Sequence, residues 1–400
     1  MPPPPLSGLR VLEVGQLLAG PFAGCVLGYF GAEVIKIEPL AGDPLRNWRV
    51  VKDGTSLWWY SLARNKKSVA IDLQQPQGQA LVRELASKSD VVIENFKPGT
   101  MEKWGLGPED LKAGKPDLIY ARVSGYGQTG PYASRPGFAS VCEAFGGLRH
   151  LNGFPDRAPV RANLSMGDTL AGLHAVIGVL LALNAQQRQG AKGEVIDVAI
   201  YESVFNLLEG VVPEYDGAGV VRGPSGSTIT GIVPSNTYLC ADEKYVVIGA
   251  NGDSLFKRLM KAIEEPAMAE DPRFANNAGR VTHEKEIDAA IGKWTRAHAL
   301  QFVLDTLSAA SVPCGPIYDV ADMASDEHYQ ARSMFEQVDV AGKPLKVPAI
   351  LPKLQEHPGR THSAGPALGE HTEEVLREVV GLSGARIDEL RQEKVIGTGI

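Results

Sequence analysis

Short runs of β-branched residues alternate with helical patterns from Leu9 to Ile200, and this alternation limits the fold more than any other feature. Between two such runs, Pro76 stands where the first turn of a helix accepts proline, and apolar residues follow at helical spacing. Apolar strands separated by helices are typical of parallel βαβ units whose sheet is covered on both faces. The sequence therefore predicts an α/β fold with a doubly wound parallel sheet. Its predicted strands are Leu9–Val14, Val34–Ile37, Val69–Leu73, Val91–Glu94, Leu118–Val123 and Val195–Ile200.

The pattern changes after Ile200. A helical piece that ends near Val212 leads into a stretch rich in glycine and serine, residues 217–227, which indicates a flexible connection and a domain boundary. The elements that follow are sufficient for a smaller second domain. Between Tyr238 and about Tyr318 they are a strand at Tyr245–Ile248 and helices such as Leu255–Ile263 and Ala299–Ala309. Beyond this domain the sequence predicts a hairpin of Phe335–Val340 with Leu345–Ile350 and a final helix at Thr372–Val380.

The charge balance argues against two classes of partner. The chain has 40 Lys and Arg against 47 Asp and Glu, a formal net charge of -7, and no long basic run. A nucleic-acid groove or an anionic membrane surface would need clustered cations. A small-molecule partner is expected, with no nucleic acid and no membrane.

The cysteines and the apolar stretches indicate a reducing compartment. Four cysteines stand far apart without a C-x-x-C pair, which argues against a zinc ribbon, a redox motif and a disulfide framework. The N-terminus lacks the charged n-region and the apolar h-region of a secretory signal, so a cytoplasmic protein is expected. The most apolar stretch, Leu170–Leu183, has about 14 residues where a membrane span needs about 20, and it is predicted to be a buried core helix.

Two segments suit a phosphorylated ligand. The turn Gly15–Gly24 supplies glycines that allow close approach to a phosphate, although a tight strand-to-helix turn explains them equally well and their spacing is not G-x-G-x-x-G. The polar run Arg64-Asn65-Lys66-Lys67 offers cations to a phosphate, and a solvated loop is the alternative.

Asp168 is a candidate nucleophile. Gly167-Asp168-Thr169 leads into the apolar stretch, as an ordinary helix N-cap does. The amides and dipole at a helix start keep a carboxylate anionic, and an anionic carboxylate is what nucleophilic attack requires. Capping and catalysis are therefore compatible. The sequence has no H-E-x-x-H, no other metal-ligand spacing and no G-x-S-x-G elbow, so metal catalysis and serine hydrolysis are not expected.

An ordered set of segments resembles the class III coenzyme A-transferase family, which includes formyl-CoA transferase, carnitine CoA-transferase and the α-methylacyl-CoA racemases. The segments extend over nearly the whole chain, so a chance match is not expected. They are Gly20-Pro21, Gly31–Glu38, Arg64–Ser68, Glu94–Gly99, Ser124–Pro131, Gly167-Asp168, Asp271–Phe274, Val312–Pro316 and Leu368–Thr372.

The resemblance implies a Rossmann-like large domain formed by both chain ends, a smaller α+β middle domain, and an interlocked homodimer. On this basis residues 1–205 form the first part of the large domain and residues 206–227 form a linker. Residues 228–322 form the small domain, and residues 323–400 form the return linker and the C-terminal part of the large domain.

The resemblance also implies a reaction without a metal or a permanently bound cofactor, with acyl-CoA and a carboxylic acid as substrates. The aspartate of the family that matches Asp168 attacks the thioester of a donor acyl-CoA, and CoA then passes to an acceptor acid through aspartyl anhydride and aspartyl-CoA thioester intermediates. The positions that match CoA contacts of the family are Leu18, Ala19, Asn65, Lys66, Asn95, Phe96, Lys103 and Arg135.

Several features bear on which reaction of the family applies. Gln16 and Leu18 stand where formyl-CoA transferase has His and Gln, which argues against formyl-CoA and oxalate as substrates. The racemases pair the aspartate with a histidine near Arg135–Ala139, and this segment has none, so a transferase is favoured over a racemase. A CoA-binding protein without catalysis is a third alternative.

The acceptor acid is not fixed by any motif. Succinyl-CoA is expected as the donor and a short dicarboxylic acid as the acceptor. Arg149, Arg157 and Arg161 precede Asp168 closely and suit the second carboxylate of such an acid, with a solvated loop as the alternative.

Overall fold

The structure is a computed structural model that describes residues 2–397. The chain forms two compact units. The first takes in the residues up to Leu148, the segment Ala162–Glu209 and the residues from Gln330 onward, and the second takes in Arg149–Arg161 and Gly210–Tyr329. Residues 149–161 thus belong to the second unit, although they lie inside the range predicted for the first part of the large domain. The predicted domain division remains a prediction.

The first unit contains the large sheet. Within residues 2–397 this sheet has seven strands in the order β14-β5-β2-β1-β6-β7-β8. All neighbouring pairs are parallel except β14 with β5. The parallel-dominated α/β sheet predicted from the β-branched runs is therefore confirmed. Its strands are β1 (Arg10–Glu13), β2 (Glu33–Glu38), β5 (Lys66–Ile71), β6 (Val91–Glu94), β7 (Ile119–Ser124), β8 (Val195–Ala199) and β14 (Ile396–Gly397).

The other strands form three small sheets. Two of these are hairpins of the first unit, and the hairpin predicted after Phe335 is one of them. The third is an antiparallel sheet of the second unit in the order β11-β10-β9. The strands are β3 (Val51–Lys52), β4 (Thr55–Ser56), β9 (Ser235–Leu239), β10 (Tyr245–Gly249), β11 (Cys314–Pro316), β12 (Phe335–Val340) and β13 (Lys343–Pro348).

Helices occupy most of the remaining regular structure. Single 3₁₀ turns at Pro44–Asn47 and Pro272–Phe274 and a π-helical turn at Leu376–Val380 accompany them. The α-helices are α1 (Ala19–Tyr29), α2 (Leu57–Leu62), α3 (Pro76–Ser87), α4 (Thr100–Lys103), α5 (Pro108–Gly114), α6 (Ala139–Phe145), α7 (Leu148–Leu151), α8 (Met166–Gln189), α9 (Ile200–Phe205), α10 (Val211–Ala218), α11 (Asp253–Ala262), α12 (Pro266–Glu270), α13 (Asn277–Thr282), α14 (Glu284–Arg296), α15 (Leu300–Ala309), α16 (Val320–Ser325), α17 (Glu327–Ala331), α18 (Thr372–Val375) and α19 (Gly384–Gln392).

The large sheet has a hydrophobic core on each face. Successive residues of a strand point to opposite faces, so Val11 of β1 belongs to the core that contains α1 and α8, whereas Leu12 belongs to the core that contains α3 and α19. Both faces are thus covered by helices, as the continuous apolar runs predict.

The end of the chain is tied to the large sheet by hydrogen bonds. The Ser68 hydroxyl accepts from the Gly369 N–H, 2.9 Å away, and the Thr372 hydroxyl accepts from the Ala70 N–H, 3.0 Å away. The guanidinium of Arg46 donates to the Pro366 carbonyl and lies over the Trp59 ring, with Cζ 3.7 Å from the ring centroid. The C-terminal segment is therefore an integral part of the first unit.

Helix α8 is longer than the sequence predicts. It has 24 residues, because Met166–Thr169 begin it and polar residues after Leu183 continue it. Among residues 2–397 it is the one helix long and apolar enough to cross a membrane by length and composition alone, a test that core helices also pass. The prediction of a buried core helix holds for one face only. Ala171, Ala175 and Val179 are buried, while Leu173, Ile177, Leu180 and Leu181 are exposed.

The second unit has its own core. Val246 and Ile248 of β10 pack with apolar residues of α11, α14 and α15, among them Phe256 and Ile291. The fully buried Arg280 donates to the carbonyls of Val233, Phe274 and Asn251 and pairs with Asp253 at 2.8 Å. These hydrogen bonds satisfy backbone acceptors inside the unit.

Candidate active site

The strand order of the large sheet reverses between β1 and β6. The chain runs outward from β1 through β2 to β5, and then outward on the other side from β6 through β7 to β8. In doubly wound sheets, ligands bind in the crevice outside the carboxyl ends of the strands at such a switch point. The segments that leave β1 and β6 at this crevice begin at Val14 and Asn95.

The side-chain amide of Asn95 joins these two segments. It accepts from the Gln16 N–H at 2.7 Å and donates to the Gln16 carbonyl at 2.8 Å. Gly15 is required beside it, because a Cβ at position 15 would lie 2.5 Å from Asn95 Oδ1. The glycine after the first predicted strand was thus a signal of close packing between two loops.

Four of the predicted CoA contacts lie in these two segments. Leu18 and Ala19 are buried at the start of α1, and Asn95 and Phe96 are half-buried after β6. The Phe96 ring meets the Trp104 ring edge to face, with centroids 5.3 Å apart. The switch point therefore gathers these positions from parts of the chain that are almost 80 residues apart.

The predicted contacts at Asn65 and Lys66 lie elsewhere. The Asn65 amide donates to the carbonyls of Gly28, near the far end of α1, and Arg360. The ammonium of Lys66 is fully buried, 2.7 Å from a Glu13 carboxylate oxygen and 2.6 Å from the Pro21 carbonyl. A CoA contact at Lys66 would therefore involve other atoms of the residue or the opening of this pair.

Lys66 is part of a buried charge cluster below the turn after β1. The ammonium of Lys36 lies 2.9 Å from carboxylate oxygens of both Glu13 and Asp43, and it donates to the Gly15 carbonyl at 2.9 Å. Burial alone would raise the pKa of Glu13 and of Asp43, but nearby lysine charges outweigh burial, so both pKa values lie below the ordinary range. The cluster fixes the turn from beneath, and no sequence motif indicated it.

Lys103 follows β6, and Arg135 follows β7, the next strand along the sheet. Lys103 is the last residue of α4 and is exposed. Arg135 stacks on Tyr132, with Cζ 3.6 Å from the ring centroid, beside an aromatic group formed by Tyr126, Phe145 and Tyr201. Arginine on an aromatic face is held without losing its hydrogen-bonding capacity.

Asp168 lies in the first turn of α8. Ser165 occupies the N-cap position and makes no side-chain cap hydrogen bond, and Asp168 is the third residue of the helix. The expectation that Asp168 itself is the N-cap is wrong, because the helix begins two residues earlier, at Met166. A carboxylate in the first turn is still stabilised by the positive end of the helix dipole.

The residue before Asp168 is anchored by a buried carboxylate. Glu143 of α6, 2% exposed, accepts a hydrogen bond from the Gly167 N–H at 3.1 Å. A Cβ at position 167 would lie 2.9 Å from Ile200 Cγ2 and 3.2 Å from Glu143 Cγ, so glycine permits this approach. Glycine at position 167 is thus a packing requirement.

Cys142 shares the neighbourhood of Asp168. Burial, followed by the negative charges of Asp168 and Glu143, raises the pKa of the Cys142 thiol to about 11. The thiol is therefore protonated at neutral pH and is no nucleophile. Sequence reasoning missed Glu143 and Cys142, because only the fold brings α6 beside the start of α8.

A cavity of about 470 Å³ opens beside the first turn of α8. Arg49 and Trp58 line it together with residues between Leu164 and Leu170. The sequence singled out neither Arg49 nor Trp58. Arg149, Arg157 and Arg161, the predicted candidates for a second carboxylate, all belong to the second unit. Across residues 2–397, no three His, Cys, Asp or Glu side chains are placed to hold a metal ion.

Comparison with known proteins identifies relatives along nearly the whole chain. The sequence profile described as CoA-transferase family III matches residues 6–372. Succinyl-CoA--D-citramalate CoA-transferase of Chloroflexus aurantiacus is 47% identical over 99% of this chain and 99% of its own. The alpha subunit of succinyl-CoA--L-malate CoA-transferase from the same organism is 43% identical over 98% of this chain and 92% of its own.

A solved structure agrees with the fold. The crystal structure of a CAIB/BAIF family protein from Brucella suis matches with a TM-score of 0.84 and 34% identity. The match covers 94% of this chain and 100% of that chain.

Proposed function

The chain belongs to CoA-transferase family III and is an enzyme of the transferase class, and from this premise we propose that it moves CoA from succinyl-CoA to a short dicarboxylic acid. Both relatives from Chloroflexus are named for succinyl-CoA as the donor, and their acceptors, citramalate and malate, are hydroxylated dicarboxylic acids. An acid of this class is the proposed acceptor.

The proposed reaction is covalent catalysis on Asp168. The carboxylate attacks the thioester carbonyl of succinyl-CoA, which breaks the C–S bond and gives a succinyl-aspartyl anhydride and CoA thiolate. The thiolate attacks the aspartyl carbonyl, which releases succinate and leaves an aspartyl-CoA thioester. The acceptor carboxylate attacks this thioester to form a second anhydride, and the released thiolate attacks the acceptor's carbonyl, which yields the new acyl-CoA and restores Asp168.

The position of Asp168 in the first turn of α8 is the observation that carries this proposal. The helix dipole favours the anionic carboxylate that attack requires. The bond from Gly167 to Glu143 holds the turn in place, so the nucleophile is presented by a fixed backbone. The neighbouring Cys142 thiol is protonated and does not compete for the thioester.

The switch point of the large sheet is the proposed binding site for CoA. We propose that Leu18, Ala19, Asn95 and Phe96 contact CoA there. Lys103, at the end of α4, and Arg135, in the loop after β7, would meet its phosphates. Asn65 and Lys66 remain proposed contacts, although their side chains are engaged inside the protein. CoA and acyl-CoA are substrates in this scheme, and no permanently bound cofactor takes part.

We also propose that the enzyme is an interlocked homodimer in the cytoplasm that binds neither nucleic acid nor membrane. The exposed apolar residues Leu173, Ile177 and Leu181 form a stripe on α8 that a second chain would cover. Light scattering after size exclusion should give twice the chain mass of 42.8 kDa. A monomer mass would contradict the dimer without affecting the proposed chemistry.

Trapping of the intermediate tests the reaction. The protein is incubated with succinyl-CoA, quenched with hydroxylamine and digested. The mass of the peptide that contains Asp168 is then measured by mass spectrometry. We expect an aspartyl hydroxamate on Asp168 in the wild type and none in Asp168→Ala. Succinyl-CoA bound without an adduct would instead support a binding protein. Deuterium uptake at the α-carbon of a branched acyl-CoA, without CoA transfer, would support a racemase.

A further inference from the structure

The cavity beside α8 combines apolar walls with one cation. Trp58, Leu164, Met166 and Leu170 supply the walls, and Arg49 supplies the positive charge. The first turn of α8, which carries Asp168, also borders the cavity through Ser165 and Thr169. Asp168 itself does not line the cavity, and an acyl chain attached to it would extend from the same helix turn.

Arg49 is not committed to a carboxylate of the protein. Within residues 2–397 its contact is the ring of Trp58, with Cζ 4.9 Å from the ring centroid. The cation–π contact orients the guanidinium but leaves its N–H donors available. A guanidinium of this kind binds a carboxylate through two parallel hydrogen bonds.

A short hairpin holds Arg49 and Trp58 together. Strands β3 and β4 are joined by Asp53-Gly54, and both residues have the positive φ values that a tight hairpin turn needs. The buried Ser56 hydroxyl donates to the carbonyl of Trp48 at 2.7 Å and accepts from the Trp58 N–H at 3.1 Å. One side chain thus fixes the backbone on both sides of the hairpin.

The backbone of Arg49 is itself unusual. Its φ of 57° lies in the left-handed region, where a side chain with a Cβ is unfavourable. Residues in this region occur often at ligand-binding sites, where the surrounding structure enforces the conformation. Replacement by glycine would therefore remove the guanidinium without distorting the hairpin.

We propose that Arg49 binds the carboxylate remote from the reacting carbon of the acyl group, and so makes the enzyme prefer dicarboxylic acids to monocarboxylic ones. This inference rests on the proposed function, because it needs the acyl group on Asp168. One acyl pocket serves both halves of the reaction. Arg49 therefore meets the free carboxylate of the donor succinyl group first and that of the acceptor acid later.

The test compares two acids of equal length. Succinate and butyrate both have four carbons, and butyrate has a methyl group in place of the far carboxylate. Exchange of labelled succinate into succinyl-CoA and of labelled butyrate into butyryl-CoA measures kcat/KM for each acid. We expect Arg49→Gly to lower the value for succinate by about 10- to 100-fold, mainly through KM, and to leave that for butyrate nearly unchanged. Arg49→Lys should recover part of the loss.

Lys52→Ala is the matched control, since Lys52 is an exposed cation on the same hairpin that does not line the cavity. This variant should leave kcat/KM unchanged for both succinate and butyrate. An unchanged ratio of kcat/KM for the two acids in Arg49→Gly, or an equal loss for both, would overturn the proposed role of Arg49. It would leave the proposed function intact. Absence of any exchange by the wild-type enzyme would overturn the proposed function and this inference with it.

Discussion

The backbone N–H of Gly167 donates a hydrogen bond to Oε1 of Glu143, 3.1 Å away, and so ties the first turn of α8 to α6. The first four N–H groups of a helix have no partner inside the helix, and a buried one needs an acceptor from elsewhere. Glu143 supplies that acceptor one residue before Asp168. The position of the proposed nucleophile therefore depends on a carboxylate that lies 24 residues before Gly167 in the chain.

Glu143→Ala is expected to destabilise the protein by about 1–3 kcal/mol, because the buried Gly167 N–H loses its acceptor. Glu143→Gln keeps a carbonyl oxygen in place and should lose less stability than Glu143→Ala. Urea unfolding of both variants measures the difference, and transfer assays should show the larger drop in kcat for alanine. Equal stability of the two variants would show that the hydrogen bond is unimportant.

Gly167→Ala is expected to cost about 1–3 kcal/mol through overpacking, because the new Cβ would lie 2.9 Å from Ile200 Cγ2. It should also displace the turn that carries Asp168 and lower kcat. Gly114→Ala at the end of α5 is the control, since a Cβ there meets no atom within 4 Å. Thermal unfolding that ranks the two variants equally would contradict this packing argument.

Asp168→Ala is expected to abolish CoA transfer while CoA still binds, because Asp168 forms the covalent intermediate and the proposed CoA contacts lie elsewhere. The stability cost should be about 0.3–1 kcal/mol, the value for a charge near a helix dipole, since Ser165 and not Asp168 is at the N-cap. Isothermal titration with CoA and denaturant unfolding give the two quantities. Near-normal turnover would exclude Asp168 as the nucleophile.

Periodicity located the six parallel strands of the large sheet because each contains a short apolar run, and in β1, β2, β6 and β7 nearly every residue of that run is buried. It did not locate β14, which has two residues, Ile396 and Gly397, and pairs only at its edge with β5. The length of α8 was also missed, because the residues after Leu183 are polar and continue the helix without an apolar stripe.

Only those residues of the candidate site that lie inside a recognisable segment could be predicted from the sequence. Asp168 lies in a segment that resembles the family, so the sequence identified it. Glu143 and Arg49 are single residues outside any motif, and the sequence gives no sign that the fold brings them near the start of α8. Lys66 shows the converse. The polar run around it suggested a phosphate contact or a solvated loop, but its ammonium is fully buried against Glu13.

Lys36→Met is expected to destabilise the protein by about 3–5 kcal/mol at pH 7, because it leaves the buried carboxylates of Glu13 and Asp43 without their shared cation. Lys67→Met is the control. Lys67 is 31% exposed and bridges Glu33 and Glu374 at the surface, where ion pairs contribute about 0–1 kcal/mol.

The pH dependence of the same variant follows from the pKa values of Glu13 and Asp43, which lie below their ordinary values of 4.5 and 3.8 in the folded protein. A carboxyl with a lowered pKa contributes stability above its ordinary pKa and loses it as the pH falls toward the folded value. The wild type should therefore lose this contribution below about pH 4.5, whereas Lys36→Met has already lost the part that Lys36 supplies to Asp43 and Glu13. Urea unfolding at neutral and acidic pH should show the gap between the two proteins narrowing as the pH falls, and a gap that stays constant would contradict the assignment of the charges.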